Sequence, residues 1–530
     1  MHWSDVVAQR LSERGGKHIV STGITPSGEF HIGHLREILT GDMIAKAAEK
    51  AGLDVEFVFI IDSADPLRKV YSFLDDSYTH YIGHQLKQIP PPDKEGCPDL
   101  QRFSAGISYA DHFLEPFKQA LEQIDVRPRF IDNYDAYASG KFAQTARIAC
   151  NNADKIREII ERVSSRELPD DWFPWNPIDS KGSIDGIRVT DWNDPIVSWV
   201  DSEGNKGTSD VTKGEGKLPW RIDWPAKWAW IGVTMEPFGK DHGAAGGSYD
   251  TGKEIVELFS KEAPVDLTYE WISLRGQGAM SSSSGNTIGP LEALSLVPPE
   301  ILRFLVASTK PNKAIEFDTG MGLVNLADEF ERTTTRDFSI EMGKEGLSRR
   351  QKIALEDAKT ALELSLINPI EESTTVTFRH LALLAQTKSK DQDVWDSLGL
   401  SGMVPQTMVD RLHRMRTWVG SRHFPEELRI TILTEPHPKA VSLLDEDNLI
   451  LLPQLIKSFE SCEWDSASIQ TSISSTAKEL GMSPRHAYRA LYLCIMGTER
   501  GPRLPTILSE LERDSIVNLL NACLILKLES

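Results

Sequence analysis

The residues with the clearest capacity for chemistry are His31, Gly33 and His34, which stand within the run Thr22-Gly-Ile-Thr-Pro-Ser-Gly-Glu-Phe-His-Ile-Gly-His-Leu-Arg-Glu-Ile-Leu-Thr-Gly41. Two imidazoles flanking a glycine can donate hydrogen bonds to phosphate oxygens, and the bare backbone of Gly33 lets a flat base or ribose come close. The chemistry implied is the handling of a nucleotide's phosphates. An ordinary helix cap or surface histidine is the competing reading, and four residues do not decide between them.

Elements have to hold those groups in place. His18 to Ser21 reads as a short buried strand, and Gly23, Pro26 and Gly28 turn it into a loop. Leu35, Ile38, Leu39 and Met43 then recur at helical spacing, with Arg36, Glu37, Asp42 and Lys46 on the opposite face. The histidines therefore sit where a loop enters a helix, at unpaired N–H groups and the positive end of the helix dipole. Val55 to Ile61 is almost wholly apolar, as a parallel strand covered on both faces would be. The charged run Asp62-Ser-Ala-Asp-Pro-Leu-Arg-Lys69 follows at its carboxyl end, where open α/β sheets bind ligands.

The whole chain bounds these readings. At 530 residues it has room for two to four domains, and 40% hydrophobic residues is ordinary for a globular protein. Five cysteines (97, 150, 462, 494 and 523) show no C-x-x-C spacing, which argues against a disulfide framework or a closed zinc site and fits a reducing, cytoplasmic setting. The start Met-His-Trp-Ser-Asp lacks a signal peptide's features, and no stretch is long enough to span a membrane, so no membrane partner is expected. A net charge of −20 argues against a general nucleic-acid binder and against DNA, while leaving room for a local basic track.

Further along, residues 77 to 165 look mostly helical, with a strand near Arg129 to Ile131. Between 166 and 220, tryptophans 172, 175, 192, 199 and 220 alternate with Asp, Gly, Asn and Pro, which suggests an inserted β-rich subdomain with aromatics in its core. A strand ending in Phe238-Gly239 would deliver Lys240, Asp241 and His242 to the same sheet edge as the first motif. Asp266 to Leu274 is another strand candidate, and the small polar run Gly276 to Asn286 reads as a mobile loop beside the site. From about 346 onward the pattern is that of an all-α domain.

These motifs together resemble the class I lysyl-tRNA synthetases. The resemblance rests on Thr22 to Gly28, His31 to His34, Asp223-Trp-Pro-Ala-Lys-Trp228, Glu236-Pro-Phe-Gly-Lys-Asp-His242, Gly246-Gly-Ser-Tyr-Asp-Thr251 and Met280-Ser-Ser-Ser-Ser-Gly285, in order over roughly residues 15 to 330. It implies an α/β catalytic domain at 1–290, with a Rossmann-type doubly wound parallel sheet and the β-rich insert at about 166–220. A connecting helical region at 291–345 and an α-helical anticodon-binding domain at 346–530 would follow.

The implied activity is that of a lysine–tRNA ligase. ATP, accompanied by Mg2+, and lysine would form lysyl-adenylate, and the lysyl group would pass to the terminal adenosine of tRNA(Lys). His31, His34, Met280, Ser281 and Ser283 take the catalytic role by resemblance. Gly33, Asp241, Gly246 and Gly247 would lie by the nucleotide, and Gly23, Thr25, Trp220, His242 and Tyr269 would line the lysine pocket. For the carboxylate that pairs with the lysine ammonium, Asp62 and Glu37 are both close in sequence to the site. No resident metal ligands are expected.

Two departures matter. The family's second signature is Lys-Met-Ser-x-Ser-Lys, but here Ala279 precedes Met280 and Ser284 stands at the later lysine, so a phosphate clamp worth two to three decades in rate, or about 3 to 4 kcal/mol, is gone. Arg275 and Lys240 are candidate replacements. Relatives often carry paired C-x-x-C-G knuckles in the insert, whereas this chain has Ile178-Asp-Ser-Lys-Gly182 and Val200-Asp-Ser-Glu-Gly204, so no structural zinc is expected. The missing lysines keep a catalytically weakened tRNA-binding paralogue in contention, and the shared architecture keeps a synthetase for another amino acid such as glutamate. In the tail, Arg411, His413, Arg414, Arg416, Arg422 and His423 surround Trp418, a mixture suited to phosphate contact and base stacking.

Overall fold

The computed structural model describes residues 1–275, 278–279, 288–367, 376–400, 402 and 404–529. Contacts divide the chain into two units, Met1–Leu294 with Pro298–Asp318 and Arg332–Ile367, and Ser295–Val297 with Thr319–Glu331 and Asn368–Ser530. The stretch 291–345 is thus shared between the two units.

The first unit is built on five parallel strands: β1 (His18–Ile24), β2 (Val55–Ile61), β3 (Arg129–Asp132), β4 (Met235–Gly239) and β5 (Val265–Tyr269). Their order across the sheet is β5-β4-β1-β2-β3, so the chain winds outward from β1 to β3 and returns on the other side of β1 with β4. The order reverses between β1 and β4. In a doubly wound sheet that reversal opens a crevice at the carboxyl ends of the strands.

The helix Ile32–Lys50 covers β1 and β2, and it departs from the amphipathic expectation. Arg36 and Asp42, expected on a polar face, are buried along with Leu35, Ile38 and Leu39. The reason lies in the segment 299–311 of the same unit. Arg303, itself fully buried, donates from a terminal guanidinium nitrogen to the Asp42 carboxylate at 2.6 Å, while Arg36 donates to the Pro311 carbonyl at 3.2 Å. Gly41 allows the helix to lie close on the sheet, because a Cβ there would stand 2.7 Å from both the Phe57 ring and the Thr22 methyl.

Residues 77 to 98 form 3-10 turns and loop rather than the expected helix, and helices resume at Leu100–Ser104 and Tyr109–Gln123. The insert contains an antiparallel sheet of Arg188–Asn193, Ile196–Val200 and Lys206–Asp210, and a two-stranded pair of Asn176–Pro177 with Gly216–Lys217. Trp175 and Trp199 are buried there, as the core reading requires, and the Trp175 indole donates to Ser209 Oγ at 2.9 Å. Trp220 instead opens the helix Trp220–Ile231.

The two turns that replace the zinc knuckles are closed by carboxylates. Asp179 accepts from the N–H groups of Lys181 and Ser183, Asp201 does so from those of Glu203 and Asn205, and Lys181 pairs with Glu203 across the two turns. An Asp side chain bonded to the backbone two and four residues on holds such a turn without a metal.

Beneath the crevice lies a buried ionic network. Lys227 pairs with Asp62 and, at 2.8 Å, with Asp223, Lys217 pairs with Asp65, and the Tyr137 hydroxyl donates to Asp223 at 2.6 Å. Burial works against the Lys227 charge, yet Asp223 and Asp62 together hold its pKa above the ordinary lysine range. Lys227→Met would leave the buried Asp62 without its cation and Asp223 with Lys217 alone, at 3.8 Å, and breaking such a buried pair typically costs about 3 to 5 kcal/mol. Urea denaturation should show a loss of that size; a change below about 1 kcal/mol would mean the network is not held as an ionised cluster.

The second unit is helical from Phe378–Thr387 to Arg513–Glu529, around a core of Leu451, Leu455, Phe459, Ile473, Leu491 and Leu520. Its basic helix Gln406–Gly420 differs from the sequence expectation at Trp418. That ring is fully buried and donates to the Thr319 carbonyl at 2.8 Å, so it serves as core and not as a stacking platform. Arg411 and Arg416 are paired with Glu331 and Asp391. No helix among the described residues is long and apolar enough to cross a membrane.

Candidate active site

The loop after β1 delivers His31 to the N-cap of the helix Ile32–Lys50, and the two histidines close a reciprocal capping box. The Gly33 N–H donates to His31 Nδ1 at 3.1 Å, and the His31 N–H donates to His34 Nδ1 at 3.0 Å. The cap reading and the phosphate reading are therefore compatible. With Nδ1 accepting in both rings, each neutral imidazole carries its proton on Nε2, which makes it a fixed donor. Burial lowers the His31 pKa to about 4, and burial together with the neighbouring His31 lowers that of His34 to about 3. Both rings are uncharged at neutral pH and act as N–H donors, not as cations.

These rings form one wall of a cavity of about 610 Å3 at the switch point between β1 and β4. Gly23, Thr25 and Gly33 line it beside them, with Asp241, His242, Tyr269 and Trp220 from the other half of the sheet. Trp220 lies against the His242 ring, centroids 5.2 Å apart. All the sequence-derived lysine-pocket residues thus converge on this cavity. Gly246 and Gly247 do not line it. Gly247 precedes the helix Ser248–Leu258, where a Cβ would meet the Ala244 carbonyl oxygen at 2.6 Å. Met280, Ser281 and Ser283 lie outside the described residues.

Two carboxylates dominate the cavity's electrostatics. Glu37 accepts from the Gly23 N–H at 3.0 Å and from the Tyr269 hydroxyl at 3.2 Å, and burial raises its pKa to about 8. Glu236, on β4, accepts from the indole N–H groups of Trp224 at 2.9 Å and Trp228 at 2.5 Å, and burial raises it to about 7. Both line the cavity, as do Asp62 and its partner Lys227. Such a wall favours a cationic ligand that can bring in the missing charge.

Sequence reasoning named Glu37 and Asp62 as options and assigned no role to Glu236, Trp224 or Trp271. A signal for Glu236 was present in the i, i+4 spacing of Trp224 and Trp228, which puts both indoles on one helix face. Which strand that face meets is not written in the spacing.

The two candidate replacement cations are both in ion pairs. Arg275 binds Asp318 at 2.6 Å, and Lys240 binds Glu270 at 2.7 Å with its ammonium 5.2 Å above the ring of Trp271, a cavity-wall residue. Among the described residues no cluster of three or more His, Cys, Asp or Glu could hold a metal ion.

A doubly wound parallel sheet with a ligand-sized, carboxylate-lined cavity at its switch point has the architecture of an α/β catalytic domain. The chain belongs to the tRNA synthetases class I (K), whose family model matches residues 1–365, and an anticodon binding domain model matches residues 408–524. It is 37% identical to the lysine–tRNA ligase of Picrophilus torridus, with 98% of each chain covered. The lysine–tRNA ligases of Thermoplasma volcanium and Thermoplasma acidophilum are 38% and 37% identical, each with 97% of both chains covered.

Proposed function

We propose that this protein is a lysine–tRNA ligase that activates lysine with ATP and passes the lysyl group to the terminal adenosine of tRNA(Lys). The observation that carries the amino-acid assignment is Glu37, a buried carboxylate fixed by Tyr269 and Gly23 in the cavity beside the histidine entrance. A glutamate substrate would bring a second carboxylate against Glu37 and Glu236, which disfavours that reading.

In the first step a lysine carboxylate oxygen attacks the α-phosphorus of ATP, forming lysyl-adenylate and releasing pyrophosphate. The Nε2–H donors of His31 and His34 suit the charge that grows on the phosphate oxygens, and the helix N-terminus adds to them. Glu37 takes the side-chain ammonium, and the adjoining rings of Trp220 and His242, tilted by 31°, flank the aliphatic stem. Mg2+ arrives with the ATP phosphates as part of the substrate. In the second step the ribose hydroxyl of the terminal adenosine attacks the activated carboxyl and AMP leaves. The working site is the cytoplasm, where tRNA is charged.

Lysine-dependent ATP–pyrophosphate exchange, measured across all amino acids, tests this reading. Exchange with lysine above every other amino acid is expected, and no exchange at all would favour the non-catalytic paralogue.

Lys240 is the residue we assign to the phosphate role of the missing signature lysines, since Gly239 and Asp241 on either side of it are wall residues. Lys240→Ala should lower exchange about tenfold or more, mainly in kcat. Exchange within twofold of wild type would remove Lys240 from that role.

A further inference from the structure

Thr25, on the cavity wall with Gly23 and His242, spends its hydroxyl proton away from the cavity. Its Oγ1 donates to Asp65 Oδ2 at 2.7 Å, and among the described residues Oγ1 accepts from no group. Asp65 is buried in the loop after β2 and is not itself on the cavity wall. Its other oxygen, Oδ1, is taken by Lys217, a buried residue of the short strand Gly216–Lys217 in the insert. Lys217 also stands 3.8 Å from Asp223. A relay of three side chains, Lys217 to Asp65 to Thr25, thus runs from the insert to the pocket.

The relay fixes a polarity. Burial works against the Asp65 charge, yet Lys217 and Lys227 hold its pKa below the usual carboxylate value. An ionised carboxylate can only accept, so the Thr25 proton points at Asp65 and Oγ1 has lone pairs alone to offer a ligand. A freely turning hydroxyl could present either its proton or a lone pair. Fixed in this way it suits an ammonium and disfavours a carboxylate oxygen. The side-chain ammonium of lysine belongs to Glu37, which leaves the α-ammonium for Thr25. A neutral acceptor is also the right kind at this place, because the lysine carboxylate has to approach the α-phosphorus of ATP and a bare anion beside it would repel both. Asp65 lends its polarity through Thr25 while Lys217 balances its charge.

We infer that Asp65, held by Lys217, is a positioning residue that sets the Thr25 hydroxyl as an acceptor for the α-ammonium of lysine. The inference rests on the lysine-activation reading above. It gives the insert a share in amino-acid binding, since Lys217 belongs to the insert and acts on the pocket through Asp65.

The test uses pyrophosphate exchange by the full chain, with lysine as substrate and ε-aminocaproate, which is lysine without its α-amino group, as the competing ligand. In Asp65→Asn the Lys217 ammonium still needs an acceptor, so the amide oxygen turns to Lys217 and the NH2 group donates to Thr25, whose own proton then points at the ligand. Lysine KM should rise about 10- to 100-fold, the range for a lost hydrogen bond to a charged group, with kcat changed far less. The inhibition constant of ε-aminocaproate should stay within about twofold of wild type, since it has no α-ammonium to lose. Thr25→Val should also raise lysine KM, and adding Asp65→Asn to it should raise KM no further, because no hydroxyl is left to orient. Should Asp65→Asn fail to fold, D65L/K217M replaces the buried ion pair by apolar side chains, an exchange that is often neutral for stability, and frees the hydroxyl to turn. It should raise lysine KM about 3- to 10-fold, again without effect on ε-aminocaproate. Three results would overturn the inference: a lysine KM unchanged in either Asp65 variant, an equal loss for ε-aminocaproate, or additive losses in T25V/D65N. Failure of the parent reading would appear separately, as wild-type protein without lysine-dependent exchange.

Discussion

His31→Asn and His34→Asn should each lower lysine-dependent pyrophosphate exchange about 10²- to 10³-fold while leaving the thermal midpoint close to that of wild type. Asparagine is the informative replacement because the two nitrogens of each ring do different work. Nδ1 of His31, the N-cap, accepts the Gly33 N–H and Nδ1 of His34, in the first turn, accepts the His31 N–H; an Asn side-chain oxygen can take over either bond, and at position 31 asparagine is among the preferred N-cap residues. The Asn amide NH2 then falls near the position of the ring's Cδ2, short of where the Nε2–H donor reaches. Alanine removes both functions, so it should add a stability loss of about 1 kcal/mol to the same loss of exchange.

Because the ring pKa values lie at about 4 and about 3, the pH profile of exchange should show no histidine limb near 6.5. Near-normal exchange in either Asn variant would reduce these histidines to helix caps.

The second large effect concerns Glu37. Glu37→Gln keeps one oxygen to accept from the Gly23 N–H and turns an NH2 donor toward the Tyr269 hydroxyl oxygen, but removes the charge, and loss of a desolvated charge partner typically costs about 2 to 5 kcal/mol, or roughly 30- to several-thousand-fold in lysine KM. The wild-type KM should itself depend on pH. Glu37 in the empty cavity titrates at about 8, so part of the lysine binding energy below that pH goes to removing a proton; KM should fall as pH rises from 7 to 8.5 and then level. The Gln variant should lack this slope.

Stability moves the other way. The folded pKa of about 8 exceeds the ordinary carboxyl value of 4.5, so between those limits the folded state binds more protons than the unfolded one and ligand-free stability falls as pH rises. At pH 8.5 the Gln variant should therefore be at least as heat-stable as wild type. A lysine KM unchanged in the Gln variant would move the ammonium to another carboxylate, with Glu236 the first to test.

Some of this protein can be read one residue at a time. The strand at 18–24, the apolar strand at 55–61, the loop and the helix entrance at His31 follow from local patterns, because a buried parallel strand and a helix start each leave a signature within about ten residues. The pocket aromatics Trp220, His242 and Tyr269 came from the resemblance to the synthetase family, and the cavity collects all of them. The unknown in that list was the carboxylate, since sequence distance from a motif says nothing about which acid faces the cavity and which is already paired.

What the sequence determined by itself is the chemistry at the carboxyl ends of β1 and β4: two imidazoles at a helix entrance, and a second motif delivered to the same edge by a strand of matching type. Tertiary structure alone decided how much of the rest is charge held inside the protein. Periodicity reports the two faces of one helix and not what a segment hundreds of residues later lays over them. Arg36 and Asp42 read as solvent-facing and are buried under the segment 299–311. Trp418 reads as a stacking platform among arginines and is core, because Thr319 and Phe424 close over its ring. Glu236 gains its poised carboxyl only where β4 meets the Trp224 and Trp228 indoles. Each of these depends on contacts between distant segments, and burial of a charge is a property of such contacts rather than of any local run of residues.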